Sequence, residues 1–266
     1  MGCGPLTKKS QNITNKLYPL SFIVLLILIW WGLCALEIVP GFMLPSPWSV
    51  VKALVNDFPL LLRHAGITLL EAFLGLSASI IAAWIVAVLM DRFHFIRKSL
   101  YPVLVLTQTI PTIAIAPLLV LWLGYSIAPK VVLVFITCFF PLVISLLAGL
   151  ASVDKDVIRL YHSMGATRNQ ILFQVGLPSA VDQFFSGLRV AAAYSLVGAV
   201  IAEWLGGNEG LGVYMTRVRK SYSYDKMFAV ILFISVLSLL LIKLVDHLHQ
   251  RSTPWKSKTD KEHTEK

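Results

Sequence analysis

Asp154–Pro178, DKDVIRLYHSMGATRNQILFQVGLP, is the longest polar interruption in the middle of a chain that otherwise reads as apolar runs. It is polar but patterned. Val157, Leu160, Tyr161 and Met164 recur at helical spacing and form an apolar stripe on a short helix. Asp154 and Asp156 stand where a helix start favours negative charge. Gly165 permits a sharp turn, and Thr167 with Gln170 has the spacing of a capping box opening a second short helix. Pro178 either ends that second helix or marks the start of the next element. The stretch therefore predicts helix, glycine turn, helix and proline boundary, held between two hydrophobic runs.

Composition sets the solvent. Hydrophobic residues make up 57% of the chain and charged residues 14%, whereas charged residues approach about a quarter in soluble domains. The fold class expected is all-α, a polytopic membrane protein. A net charge of +9 is compatible with nucleic-acid binding in principle. Here, however, Lys and Arg are scattered between apolar runs and concentrated near the termini, which membrane orientation explains better. Cys3, Cys34 and Cys138 show no metal-ligand spacing and are read as packing residues; His247 and His249 are read as a solvated helix end.

Six spans are expected, at about 17–36, 67–90, 100–123, 131–150, 184–205 and 227–245, within a membrane domain of residues 17–245. Tails of 1–16 and 246–266 flank it, the second expected to be disordered. The first run is about 20 residues, long enough to span, and no A-x-A cleavage site follows, so it is read as uncleaved. Val50–Leu62 is expected to lie as a helix on the membrane surface, near Leu44-Pro45-Ser46-Pro47 and the interfacial Trp48. The second run carries Glu71 and a series of small residues that allow close helix approach. In the third, Pro102, Pro111 and Pro117 accompany Thr107, Gln108, Thr109 and Thr112. Such irregular polar backbone is tolerated at membrane depth only beside protein or a cavity. By this count about 16 of the 23 Lys and Arg residues lie on the side of the termini, which places both termini, and Asp154–Pro178 with them, in the cytoplasm.

Asp154–Pro178 resembles the cytoplasmic coupling motif of ABC-importer permeases, Glu-Ala-Ala, three residues, Gly, nine residues, Ile-x-Leu-Pro. Gly165, Val175, Leu177 and Pro178 fall on its Gly, Ile, Leu and Pro, while Arg159, Leu160 and Tyr161 replace the triplet. LPSP at Leu44–Pro47, IPTIAIAPLLVLWLGY at Ile110–Tyr125, FFPLV at Phe139–Val143, and Glu203 with Gly210-Leu211-Gly212 extend the likeness to about Leu44–Val245. Together they resemble permeases for nitrate, taurine, aliphatic sulfonates and thiamine precursors. The wording at Gln108–Pro111 and Trp122–Tyr125 is similar to permeases for the pyrimidine precursor of thiamine, of hydroxymethylpyrimidine or formylaminopyrimidine type.

The resemblance implies a type I importer permease fold with a coupling helix between spans four and five. It implies a second permease subunit, a homodimer being expected, two cytoplasmic ATPase subunits and an extracytoplasmic binding protein. It implies a transport subunit of the cell membrane rather than an enzyme, and no cofactor in this chain: no GxxxxGK[ST] phosphate loop is present, so ATP belongs to the partner ATPase. Val157, Leu160, Tyr161, Met164, Gly165, Ala166 and Pro178 become candidates for ATPase coupling. Gln108, Thr109 and Thr112 in span three, with Ser195, Gly198 and Glu203 in span five, become candidates for the pathway.

Blander roles stand beside these. Glu203 serves the pathway or anchors the outer end of span five; Gln108 and Thr112 meet substrate or satisfy carbonyls freed by Pro111; Arg189 snorkels to the inner interface; Arg217–Lys220 docks the binding protein or is a solvated face. A membrane-embedded enzyme would need converging catalytic groups, and Glu71, Glu203, Arg189 and Gln108 are scattered over three spans. An ion-coupled transporter would favour internal repeats, and none is visible.

Overall fold

The computed structural model describes residues 8–36, 39–41 and 43–253. All regular structure among them is helical: α1 (Lys8–Ala35), α2 (Pro47–Asn56), α3 (Phe58–Arg92), α4 (His94–Thr109), α5 (Thr112–Leu123), α6 (Ala128–Ala151), α7 (Lys155–Ser163), α8 (Arg168–Ile171), a π-helical turn (Leu172–Gly176), α9 (Leu177–Gly206), α10 (Leu211–Lys220) and α11 (Tyr224–Ser252). Residues 1–7 of the expected N-terminal tail and 254–266 of the C-terminal one lie outside the described residues. Up to Ser252 the second tail is helix, a continuation of α11.

Among the described residues, four helical stretches are long and apolar enough to cross a bilayer: α3, α6, Arg168–Gly206 and α11. The helix pair α4 and α5 passes together but is bent by 98° at its break, and Ser21–Ala35 within α1 is a shorter apolar helix. The surface helix expected at 50–62 is instead α2, after which Phe58 already opens α3.

The chain divides into two compact units. One comprises residues within Met1–Pro59 and Arg217–Leu232. Here Ser46 caps α2, its Oγ accepting from Ser49 N at 3.2 Å, with Pro47 in the first turn where its missing N–H is no loss. Trp30 donates to Pro45 O at 3.2 Å and its ring packs at a tilt against Phe228, beside a small core of Val50, Ala53 and Ala229. Lys226 pairs with Asp57 at 2.8 Å.

The other unit comprises Leu60–Thr216 and Phe233–Lys266. Its axis is the pairing of α6 with α9, which small residues make close: a Cβ added to Gly187 would lie 2.4 Å from Ser145 Oγ. Ala83, Met90, Leu142, Leu146, Ala191 and Leu196 fill the core around it. At the end of α9 nearer the coupling stretch, Arg189 pairs with Asp246 and approaches His249 Nδ1 at 3.3 Å, while His249 Nε2 meets Asp182 at 3.0 Å. Arg189, read as an inner-interface residue, also ties α9 to α11.

Candidate translocation pathway and coupling surface

The break between α4 and α5 follows from Pro111. The residue before a proline is driven out of the helical region, and Ile110 is extended at φ −83° and ψ 120°. Pro111 then precedes α5 with its carbonyl accepting from Ala114 N at 2.9 Å. A helix end leaves carbonyls without partners. Thr109 Oγ1 donates to Leu106 O at 2.8 Å and Thr107 Oγ1 to Leu104 O at 2.7 Å. Thr109 thus closes α4.

Beside this break lies a cavity of about 210 Å³. Thr107, Gln108 and Thr112 line it from α4 and α5, Thr137 from α6, and Tyr194 and Gly198 from α9, with Ile110, Ile136, Val197 and Ile201 between them. No lining residue carries a charge. Three of the six pathway candidates, Gln108, Thr112 and Gly198, are therefore together. Thr109 is not among the lining residues. Ser195 is buried, its Oγ donating to Ala192 O at 2.8 Å. Thr137 and Tyr194 were not foreseen. Tyr194 precedes Gly198 by four residues, one helical turn on the same face, so accepting Gly198 points to it. Thr137 has no local signal; the packing of α6 on α9 brings it in, and a Cβ on Gly198 would stand 2.9 Å from its Oγ1.

Glu203 lies elsewhere, in a buried polar cluster at the other end of α9 from the coupling stretch. Its Oε1 accepts from Thr68 Oγ1 at 2.7 Å and its Oε2 from Gly212 N at 2.6 Å. Thr68 Oγ1 accepts in turn from Leu211 N at 2.9 Å, and His64 Nδ1 accepts from Gly210 N at 3.0 Å. Beside them Lys130 Nζ meets Glu71 Oε1 at 2.6 Å. Glu71 and Glu203 are each 1% exposed. A buried carboxylate needs such donors, because burial unpaired costs several kcal/mol, on the order of the effective penalty per ion. The Glu203 carboxylate thus takes the Gly212 amide and the Thr68 hydroxyl, while Gly210 N and Leu211 N go to His64 and Thr68, so the Gly210–Gly212 loop is held to both α9 and α3. Of the two roles open to it, the anchoring one matches these contacts.

The coupling stretch is built locally. Asp154 Oδ1 caps α7 by accepting from Asp156 N at 2.8 Å. Gly165, at φ +79°, closes it: Ala166 N donates to Tyr161 O and Gly165 N to His162 O, each at 3.0 Å. Thr167 and Gln170 form the capping box of α8. The second helix does not stop at Pro178. It passes through the π-helical turn into α9, where Pro178 occupies the first turn, the one helical position that tolerates its missing N–H. No residue of α7 is buried. Leu160 is 58% and Met164 76% exposed, Val157 is exposed, and Tyr161 and Ala166 are half-buried. Ile158 and His162 instead line a cavity of about 530 Å³ with Asp91, Leu150, Val153 and Arg168. Among the described residues, Val157, Leu160 and Met164 of the apolar stripe are thus left uncovered.

Residues 75–254 match the family described as binding-protein-dependent transport system inner membrane component. The formylaminopyrimidine transport permease protein ThiX of Halalkalibacterium halodurans is 35% identical over 245 residues, 92% of this chain and 98% of that protein. The taurine transport system permease protein TauC of Escherichia coli is 29% identical over 253 residues, 92% of this chain and 91% of that protein. Among solved structures, a chain of the inward-facing MetNI methionine ABC transporter aligns with a TM-score of 0.63 at 19% identity, covering 74% of this chain and 98% of that one. This likeness concerns the helical architecture; the sequence relatives share nearly the full length. On the family match and the sequence relatives, the chain belongs to the inner-membrane permease components of binding-protein-dependent ABC importers.

Proposed function

We propose that two copies of this chain form the membrane channel of an importer for an uncharged, hydrogen-bonding pyrimidine precursor of thiamine. Two ATPase subunits drive it, and an extracytoplasmic binding protein delivers the cargo. The observation that carries this reading is the cavity beside the α4–α5 break, lined by hydroxyls, an amide and a phenol but no cation. Taurine, a sulfonate or nitrate would bring an anionic head group into it, and a buried anion without a partner is costly. Threonine hydroxyls and Gln108 suit the donors and acceptors of a pyrimidine ring. The 35% identity to a formylaminopyrimidine permease points the same way.

In this reading six spans cross the membrane, the termini and α7 face the cytoplasm, and the exposed stripe of α7 seats in a groove on the ATPase. Reconstitution into proteoliposomes with the ATPase and binding protein tests the cargo. ATP-dependent uptake of labelled formylaminopyrimidine, without uptake of labelled taurine or nitrate, is the expected result. Uptake of taurine or nitrate in place of the pyrimidine overturns it.

A further inference from the structure

At the end of α10 the backbone closes as it does at the end of α7. Ser223 N donates to Val218 O at 3.0 Å and Tyr222 N to Arg219 O at 3.2 Å. This closure requires a left-handed residue, a place that glycine usually fills. In α7 that residue is Gly165; in α10 it is Tyr222, at φ +56°, the one non-glycine with positive φ among the described residues. A bulky side chain in this conformation is strained. Burial does not compensate, since Tyr222 is 77% exposed and its ring meets Tyr224 edge-on.

Tyr222 lines a groove of about 400 Å³ together with Tyr224, Asp225, Ser46, Ser49 and Cys34. Next to it Arg217, Arg219 and Lys220 are exposed in the last turn of α10, a helix with no acidic residue. A solvated turn needs no fixed aromatic ring. An interfacial tyrosine would reach lipid head groups equally well from Ser221 or Ser223, without left-handed backbone. A protein partner, by contrast, rewards a rigidly placed Tyr beside Arg, the residue types that dominate binding hot spots.

We infer that Tyr222, flanked by Arg219 and Lys220, is the anchor on which the extracytoplasmic binding protein docks, through an acidic patch on that protein. The inference rests on the importer reading above. Positive charge around the anchor would steer the acidic partner and accelerate association at low salt.

The test uses the permease–ATPase complex in nanodiscs and the purified binding protein as probe. Tyr222→Gly removes the ring and relieves the left-handed position, so folding and thermal stability should hold or improve. Its Kd for the binding protein should rise about tenfold or more. Arg219→Glu with Lys220→Glu should slow association and flatten its salt dependence. Equal affinity of wild type and Tyr222→Gly overturns the anchor while leaving the importer reading standing. Unchanged affinity with reduced binding of anionic-lipid vesicles assigns the residue to head groups and also overturns it. Failure of the wild-type complex to bind the probe overturns both readings.

Discussion

Glu203 and Gly210 share one packing site: a Cβ placed on Gly210 would lie 2.1 Å from Glu203 Oε1. The same glycine sits at φ +126°. Gly210→Ala therefore meets two obstacles, a backbone conformation costing about 1–2 kcal/mol for residues with a side chain and an overpacked site costing about 1–3 kcal/mol. We expect a loss of roughly 2–5 kcal/mol from these together, read as a lower melting temperature of the detergent-solubilised protein. Gly165→Ala, where no atom lies within 4 Å of the added Cβ, should show only the backbone part.

The Lys130–Glu71 pair should behave as buried ion pairs do. Removing one partner strands a charge, at a cost of about 3–5 kcal/mol. Lys130→Met should therefore destabilise strongly, and Lys130→Met with Glu71→Gln should recover much of the loss. A double-mutant cycle on thermal or denaturant stability gives the coupling; additive effects would mean that the pair is not stabilising as a unit.

These contacts mark the boundary of what a sequence reveals. The turn at Gly165, the capping box at Thr167 and Gln170, and the interruption at Pro111 were legible because each is decided within a few residues. Glu71 and Lys130 are 59 residues apart, and nothing local pairs them. Ser195 and Gly198 both read as small residues on span five, but only the packing of α6 against α9 decides which faces the cavity. Pro178 was ambiguous, since its missing N–H suits both a stop and a first turn. Tyr222 carried no signal because tyrosine is a poor marker of left-handed backbone; only the closing hydrogen bonds expose it.

The cavity yields a prediction about uptake. Gln108→Leu keeps the side-chain size but removes both donor and acceptor, and Thr137→Val does the same for a hydroxyl. Each is expected to lower ATP-dependent uptake about tenfold or more, near the range for a lost hydrogen bond to a buried polar partner, while complex assembly stays intact. Thr109→Val serves as the control: its hydroxyl caps Leu106 O, and uptake should change little. Normal uptake in Gln108→Leu and Thr137→Val would remove this cavity from the pathway.

Orientation is testable with single cysteines. Asn169, in the coupling stretch, and Asn208, beyond the far end of α9, are both exposed. In a background lacking Cys3, Cys34 and Cys138, an impermeant maleimide on intact cells should label a cysteine at 208 and not one at 169. Opening the cells should make 169 reactive. Labelling of both in intact cells would contradict a cytoplasmic coupling stretch.

Two variants at α7 separate two failures that a single variant would confuse. In α7 the apolar stripe stands exposed, so Leu160→Asp removes an apolar knob without disturbing any buried contact. The permease should fold and insert as wild type yet lose its ATPase, because a carboxylate in an apolar groove must shed its hydration. Gly165→Val acts differently. A Cβ added there meets no described atom within 4 Å, but at φ +79° a β-branched residue is strained. Relief of that strain would rotate α7 relative to α8, leaving the stripe intact and misdirecting it. The expected signature is ATPase that still co-purifies, in reduced amount, and hydrolyses ATP without importing cargo. Leu160→Asp should give no co-purification and no uptake. The check is ATPase recovery, hydrolysis and uptake measured on the same membranes. Full uptake by Leu160→Asp at normal expression would show that α7 does not meet the ATPase through this stripe.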